Sequence, residues 1–227
     1  MRTGVRGSTT GLLPSAHRDL TARSTLGRGR GTPTIPAIDV LILCTANQCR
    51  SPMAEAILRR RLEEAGVDST VSSAGLHPGG RPATAHGIAT MAARGLDTSG
   101  HVSRQLTADL VAAADLILGM AREHVREVAV IDADALSRAF TLKELVRLGE
   151  LVGPRSHGEA LADWLARVAR GRERQRLMGV GHDPDYDIED PVGRGREDYE
   201  ATAAELDDLL ARLVDRALAP TPEEQMS

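Results

Sequence analysis

Cys44, Arg50 and Ser51 fall within one ten-residue segment, Leu43-Cys44-Thr45-Ala46-Asn47-Gln48-Cys49-Arg50-Ser51-Pro52. A cysteine attacks as a thiolate. The successive N–H groups of a loop that opens a helix create a positive potential that favours that form. An arginine six residues on can fold back and grip two phosphate oxygens with its planar fork. Ser51 can donate a hydrogen bond to the sulfur and help it leave in a second step. A thiolate attacking phosphorus also needs an acid to protonate the departing oxygen. Two Asp-Pro pairs offer one, Asp183-Pro184 and Asp190-Pro191. Asp190 is the better placed, in a Pro-stiffened loop just before the C-terminal helix, although Asp-Pro is also common in plain turns.

With Arg at 27 of 227 positions, Cys-x5-Arg by itself carries little. A free buried cysteine is ordinarily a small core residue. The order of the whole segment is what points to chemistry: buried strand, Cys, Asn, Arg, Ser, then Pro opening a helix. A zinc site is excluded, because it needs four ligands and there is no second Cys pair. The Gly-rich runs Gly27–Gly31 and Gly193–Gly195 match neither a dinucleotide-binding turn nor a nucleoside-triphosphate loop.

The elements that must position this loop follow from the pattern of apolar residues. Ile38 to Leu43 is almost wholly apolar, as expected of a strand buried on both faces. Pro52 suits the first residue of a helix that carries Met53, Ala56, Ile57 and Leu62 and is closed by Gly66. Further strands are expected at 71–73, 116–118 and 139–142. Helices are expected at 83–94 with Gly95 as cap, at 107–113 with Thr107 as N-cap, at 123–130, at 159–169 and at 197–218. Strands alternating with helices imply an α/β fold, a parallel sheet covered on both faces, with ligands at the carboxyl ends of its strands.

The chain has 227 residues, 41% hydrophobic and 26% charged, which suits one globular domain of above-average size. Residues 1–36 carry six Arg and one Asp, so the net charge of −4 leaves −9 on residues 37–227. That acidic body, with aromatics at only 2%, argues against a nucleic-acid partner. No apolar stretch reaches the length of a transmembrane helix, so no membrane insertion is expected. Residues 1–36 read as a disordered N-terminal extension, with an organelle transit peptide as the alternative. Residues 37–218 read as the domain, 150–182 as an embellishment on it and 219–227 as a tail; the cytoplasm is the default location. The basic run from Arg167 to Arg176 reads as a solvated face, with docking of an acidic partner as the alternative.

From Cys44 to Pro52, and again at Ser73-Ala74-Gly75, His101-Val102-Ser103-Arg104-Gln105-Leu106-Thr107, Ala114-Asp115-Leu116-Ile117-Leu118 and Asp190-Pro191, the sequence resembles a low-molecular-weight protein tyrosine phosphatase. The resemblance runs over most of residues 38–218. It implies a single three-layer domain, a four-stranded parallel sheet flanked by helices, with the phosphate loop after the first strand. It makes Cys44 the nucleophile that forms a cysteinyl-phosphate, Arg50 the phosphoryl-binding group and Asp190 the acid, then the base on water. The loop residues Thr45, Ala46, Asn47, Gln48, Cys49 and Ser51 become the substrate-binding cradle. Asn47, Ser51, Ser73 and His101 match a buried polar network that holds the loop; from the residues alone, His101 is a capping or core histidine and Ser73 a strand end. Cys49 matches a second loop cysteine whose disulfide with the nucleophile protects it reversibly; the alternative is that it fills space.

The implied partner is a tyrosine-phosphorylated protein, a bacterial tyrosine kinase among the candidates, and no metal or organic cofactor is implied. Two departures bear on the substrate. Many relatives have an aromatic residue after the Asp-Pro, where this chain has Val192-Gly193, and the residue after the nucleophile is the small, polar Thr45. Two other readings of the scaffold stand beside hydrolysis. One is arsenate reduction coupled to a low-molecular-weight thiol, which would not need Asp190. The other is a phosphoprotein-binding module, which would need neither the thiol nor the acid.

Overall fold

The structure is a computed structural model, and it describes residues 37–219. The extension expected over residues 1–36 therefore lies outside the described residues, as does all but the first residue of the tail expected from 219. In chain order the first half contains β1 (Ile38–Cys44), α1 (Arg50–Glu64), β2 (Ser69–Gly75), α2 (Ala85–Ala92), α3 (Ala108–Ala113) and β3 (Leu116–Gly119). The second half contains α4 (Arg122–Ile131), β4 (Ala139–Thr141), α5 (Leu142–Val152), α6 (Leu161–Ala169), α7 (Arg174–Leu177) and α8 (Arg196–Leu213), which runs on into a π-helical turn at Val214–Leu218.

The sheet has four strands in the order β2-β1-β3-β4, and they are parallel, as the alternation of elements predicts. Successive residues of a strand face opposite sides of a sheet. Thus Val40, Ile42 and Cys44 enter the core shared with Met53, Ile57, Leu206 and Leu210 of α1 and α8. Leu41 and Leu43 enter the opposite core with Val111, Val125 and Val128 of α3 and α4. With β1 buried on both faces and flanked by a strand on each side, its last residue, Cys44, arrives at the carboxyl edge of the sheet in a fixed place.

Helix α1 starts at Arg50, two residues before Pro52, so the phosphate-loop residue Arg50 is itself helical. Gly66 closes it at φ +69°, a conformation that costs glycine little. Thr107 caps α3 as predicted, its side chain accepting from Leu110 N. The sequence reading lacked α5 and α7. Helix α5 is capped by Thr141, which accepts from Glu144 N, and buries Leu142, Leu145, Val146, Leu148 and Gly149. Gly149 is needed there: a Cβ would lie 3.0 Å from the Trp164 ring of α6.

The basic run is a solvated face only in part: Arg170 and Arg174 are exposed, while Arg167, Arg172 and Arg176 are held by their own chain. Arg172 is buried; it pairs with Glu144 Oε1 at 2.9 Å, donates to the carbonyls of Leu136 and Ala139 and stacks 4.1 Å from the centroid of the Phe140 ring. Arg167 pairs with Glu159, and Arg176 with Asp183 and Asp185. Trp164 is fully buried and donates to Gly153 O, so it presents no docking surface. A guanidinium has five donors in a rigid fork, so arginines at helix ends find carbonyls and carboxylates of their own chain.

Candidate active site

The loop from Cys44 to Ser51 is held from outside by its carbonyls. Thr45 O accepts from Leu76 N and His77 N, Asn47 O from His101 Nε2 at 2.7 Å, and Gln48 O from Thr84 N. Because each peptide is planar and trans, the N–H groups that follow those carbonyls, at Ala46, Gln48 and Cys49, point the other way. That is how a short loop turns its donors toward a common centre. Asn47 makes the bend with φ 53°, a region asparagine tolerates better than most residues. Gly75 explains the end of the Ser73-Ala74-Gly75 motif, since a Cβ there would lie 2.8 Å from Asn47 N.

A directional chain of hydrogen bonds ends on the sulfur. Asn47 Oδ1 accepts from Arg104 N, which orients its amide, and Nδ2 then donates to Ser73 Oγ at 2.8 Å and to Ser51 Oγ at 2.9 Å. Ser73 passes its proton toward Glu55 Oε2. Ser51 Oγ lies 2.9 Å from Cys44 Sγ, and once the sulfur is a thiolate it can only accept, so the Ser51 hydroxyl is then the donor. The predicted quartet of Asn47, Ser51, Ser73 and His101 is therefore brought together. His101 donates to the Asn47 carbonyl, so it carries its proton on Nε2.

Arg50 is buried, donates Nη1 to Ile188 O at 3.0 Å, and places Nη2 3.2 Å from Thr45 Oγ1 and 2.5 Å from Asp190 Oδ2. Its Nε is buried without a hydrogen-bond partner among the described residues. Asp190, 140 residues away in sequence, thus reaches the loop, whereas the other candidate, Asp183, is bound to Arg176 and Arg122. Cys49 is buried behind the loop. Burial pushes its thiol up to about 12, with Asp190 and Cys44 adding to the effect.

Sequence reasoning missed the other wall of the cleft. Thr45 Oγ1 donates to Glu123 Oε1 at 2.9 Å and sits 3.2 Å from His124 Nε2. His124 Nδ1 accepts from Ala121 N, so Nε2 bears the proton and donates to Thr45. Burial first, and then the nearby Arg50 charge, lower the His124 pKa to about 3, so the ring is neutral. Glu123 and His124 stand 78 and 79 residues from Thr45, and no local pattern could have linked them. The cleft, about 390 Å³, is lined by Thr45, Arg50, Glu123, Asp187, Glu189 and Asp190 among others, with no Phe, Tyr or Trp among its described lining residues.

A four-stranded parallel sheet whose first strand delivers a cysteine into an arginine-closed loop is the architecture of a small cysteine-dependent phosphatase. The family model described as low molecular weight phosphotyrosine protein phosphatase matches residues 39–154. The chain belongs to that family, and like its relatives it is a hydrolase acting as a protein phosphatase. It is 32% identical to a protein-arginine-phosphatase of Bacillus subtilis, over 78% of this chain and 94% of that one. It is 36% identical to the low molecular weight protein-tyrosine-phosphatase Etp of Escherichia coli K12, over 51% of this chain and 76% of Etp. Among solved structures it is similar to the low molecular weight protein tyrosine phosphatase of T. tengcongensis at 30% identity and a TM-score of 0.60, covering 79% of this chain and 99% of that one. Arsenate reduction is not favoured, since these relatives are phosphatases. No described helix is long and apolar enough to cross a membrane.

Proposed function

We propose that the chain hydrolyses phosphorylated protein side chains through a cysteinyl-phosphate on Cys44. The observation that carries this reading is the convergence of Asp190 on the inward-turned loop that holds Cys44, Arg50 and Ser51, two segments 140 residues apart in sequence. The Cys44 thiolate attacks phosphorus, the bond from phosphorus to the leaving atom breaks, and Asp190 protonates that atom. Asp190 then takes a proton from water as the water attacks phosphorus, and the S–P bond breaks to return the thiolate and free phosphate. The loop amides and Arg50 hold the phosphoryl oxygens throughout; the unpaired Nε of Arg50 is a donor ready for one of them. Ser51 stabilises the sulfur as it leaves.

The first reading of the substrate is a phosphotyrosyl protein, a bacterial tyrosine kinase being one such partner; the family of the chain supports it. A specific observation favours a second, a phosphoarginyl protein. The residue after the nucleophile is bound to a carboxylate, Glu123, where an apolar wall would suit an aryl ring, and Val192-Gly193 supplies no aromatic side chain. A guanidinium leaving group is cationic and matches that carboxylate. The test compares kcat/KM for phosphotyrosyl and phosphoarginyl peptides of one sequence, with Cys44→Ser and Asp190→Asn beside wild type. Hydrolysis of either peptide that Cys44→Ser abolishes and Asp190→Asn strongly slows supports the mechanism. Activity that survives Cys44→Ser sinks it. The ratio of the two peptides decides the substrate.

Residues 37–218 are read as one phosphatase domain with 150–182 added to it. In support, Trp164, Leu165 and Val168 of α6 enter the same core as β1 and α8. The cytoplasm is the proposed location, a reducing compartment in which the free thiols of Cys44 and Cys49 persist. Cys49 is proposed as the partner that forms a reversible disulfide with oxidised Cys44.

A further inference from the structure

Arg122 opens α4 in the wall of the cleft and is largely buried, yet the mechanism above gives it no task. Its backbone N donates to Asp187 Oδ1 at 2.8 Å, and its Nη2 lies 3.4 Å from Asp187 Oδ2. Nη2 also donates to Gly181 O at 2.8 Å, while Nη1 donates to Arg176 O at 2.6 Å and faces Asp183 Oδ2 at 3.6 Å. Asp187 in turn accepts from Asp183 N. One side chain thus ties α4 to the end of α7, to the turn after it and to Asp187, three residues ahead of Asp190.

The segment that carries Asp190 is held at two points of different kind. At its far end Arg50 binds Asp190 Oδ2 and Ile188 O. At its near end Arg122 binds Asp187, and Ile188 N donates to Met120 O at 2.8 Å. An incoming phosphoryl group competes for the Arg50 guanidinium, so the first anchor weakens when the acid is needed. The second involves neither Arg50 nor the loop from Cys44 to Ser51 and persists. We infer that Arg122, through Asp187, is a positioning residue that holds the acid loop and keeps Asp190 at the leaving atom once substrate has engaged Arg50. This rests on the reading of Asp190 as the general acid. It also gives the added segment a task, since the carbonyls of Arg176 and Gly181 orient the Arg122 fork.

The test is the dependence of kcat/KM on the leaving group across aryl phosphates, from 2,4-dinitrophenyl phosphate, which needs no proton, to phenyl phosphate, which does. Arg122→Lys and Asp187→Asn are measured beside Asp190→Asn and wild type. Both loop variants are expected to lose about 10- to 100-fold on phenyl phosphate and to stay within about 3-fold on 2,4-dinitrophenyl phosphate, because a misplaced acid costs only where a proton must be delivered. A loss of the same factor across the series means a purely structural role and overturns the inference, as does an unchanged series. If Asp190→Asn itself leaves the dependence unchanged, the acid assignment fails and the inference fails with it. If Asp190→Asn steepens the dependence and the two loop variants do not, Arg122 alone is refuted. Should Arg122→Lys not fold, Asp187→Asn decides the matter by the same criteria.

Discussion

Replacing Ser51 by Ala removes one buried oxygen that joins the support network to the sulfur. In the wild type that oxygen accepts from Asn47 Nδ2 at 2.9 Å and donates to the thiolate of Cys44, also at 2.9 Å. A hydrogen bond to a charged group contributes about 1.5–3 kcal/mol. The bond matters most where the sulfur carries charge: in the free thiolate, and again as the S–P bond breaks. At 1.36 kcal/mol per decade the loss slows hydrolysis of the cysteinyl-phosphate by about 10- to 100-fold. Formation of that intermediate is less affected, since the thiolate loses the same bond on attacking phosphorus. The intermediate should therefore accumulate. Rapid mixing of Ser51→Ala with p-nitrophenyl phosphate is expected to give a burst of p-nitrophenol approaching one equivalent of enzyme, followed by a slow steady state, with phosphate recoverable on Cys44 after acid quench. An unchanged turnover, or a slow turnover with no burst and no trapped phosphate, would refute the reasoning.

The remaining predictions concern stability and redox behaviour. Arg172→Ala leaves Glu144, a fully buried carboxylate whose pKa is already raised by burial, without its counter-charge; a loss of about 3–5 kcal/mol in urea unfolding is expected, partly restored by adding Glu144→Leu. His124 has a folded pKa of about 3 against an ordinary 6.5, so the unfolded chain binds the extra proton; its contribution is present above pH 6.5 and is lost as pH falls toward 3. Urea titrations at pH 7, 5 and 4 should show wild type losing more stability than His124→Gln, by a few kcal/mol at the lowest pH, and parallel losses would sink the idea. Peroxide should inactivate wild type in a way dithiothreitol reverses, with reversal lost in Cys49→Ser. Equal recovery of both proteins would leave Cys49 a space-filling residue.

Short-range features were legible because they are written in neighbouring residues. The run Ile38–Leu43, the order of Cys44, Arg50, Ser51 and Pro52, and the cap at Thr107 each need only a few consecutive positions to show. Helix α5 was also written there, in the spacing of Leu142, Leu145, Val146 and Gly149 behind the cap Thr141, and was missed because the preceding residues read as a strand running to Leu142. The basic run from Arg167 to Arg176 shows the opposite case: composition suggested solvent, while tertiary contacts bury Arg172 against Glu144 and Phe140. Chain closure also set the second wall of the cleft, bringing Glu123 and His124 to Thr45 and Arg122 to Asp187. Glu123 and His124 meet Thr45 because β1 and β3 lie side by side although more than seventy positions separate them, and no local periodicity records that pairing. The nucleophile and its loop are thus a property of one segment of the sequence. The placement of the acid, and the chemistry of the wall that faces the substrate, are properties of the fold, since a side chain's electrostatic environment depends on what stands within a few ångströms of it, whatever the distance along the chain.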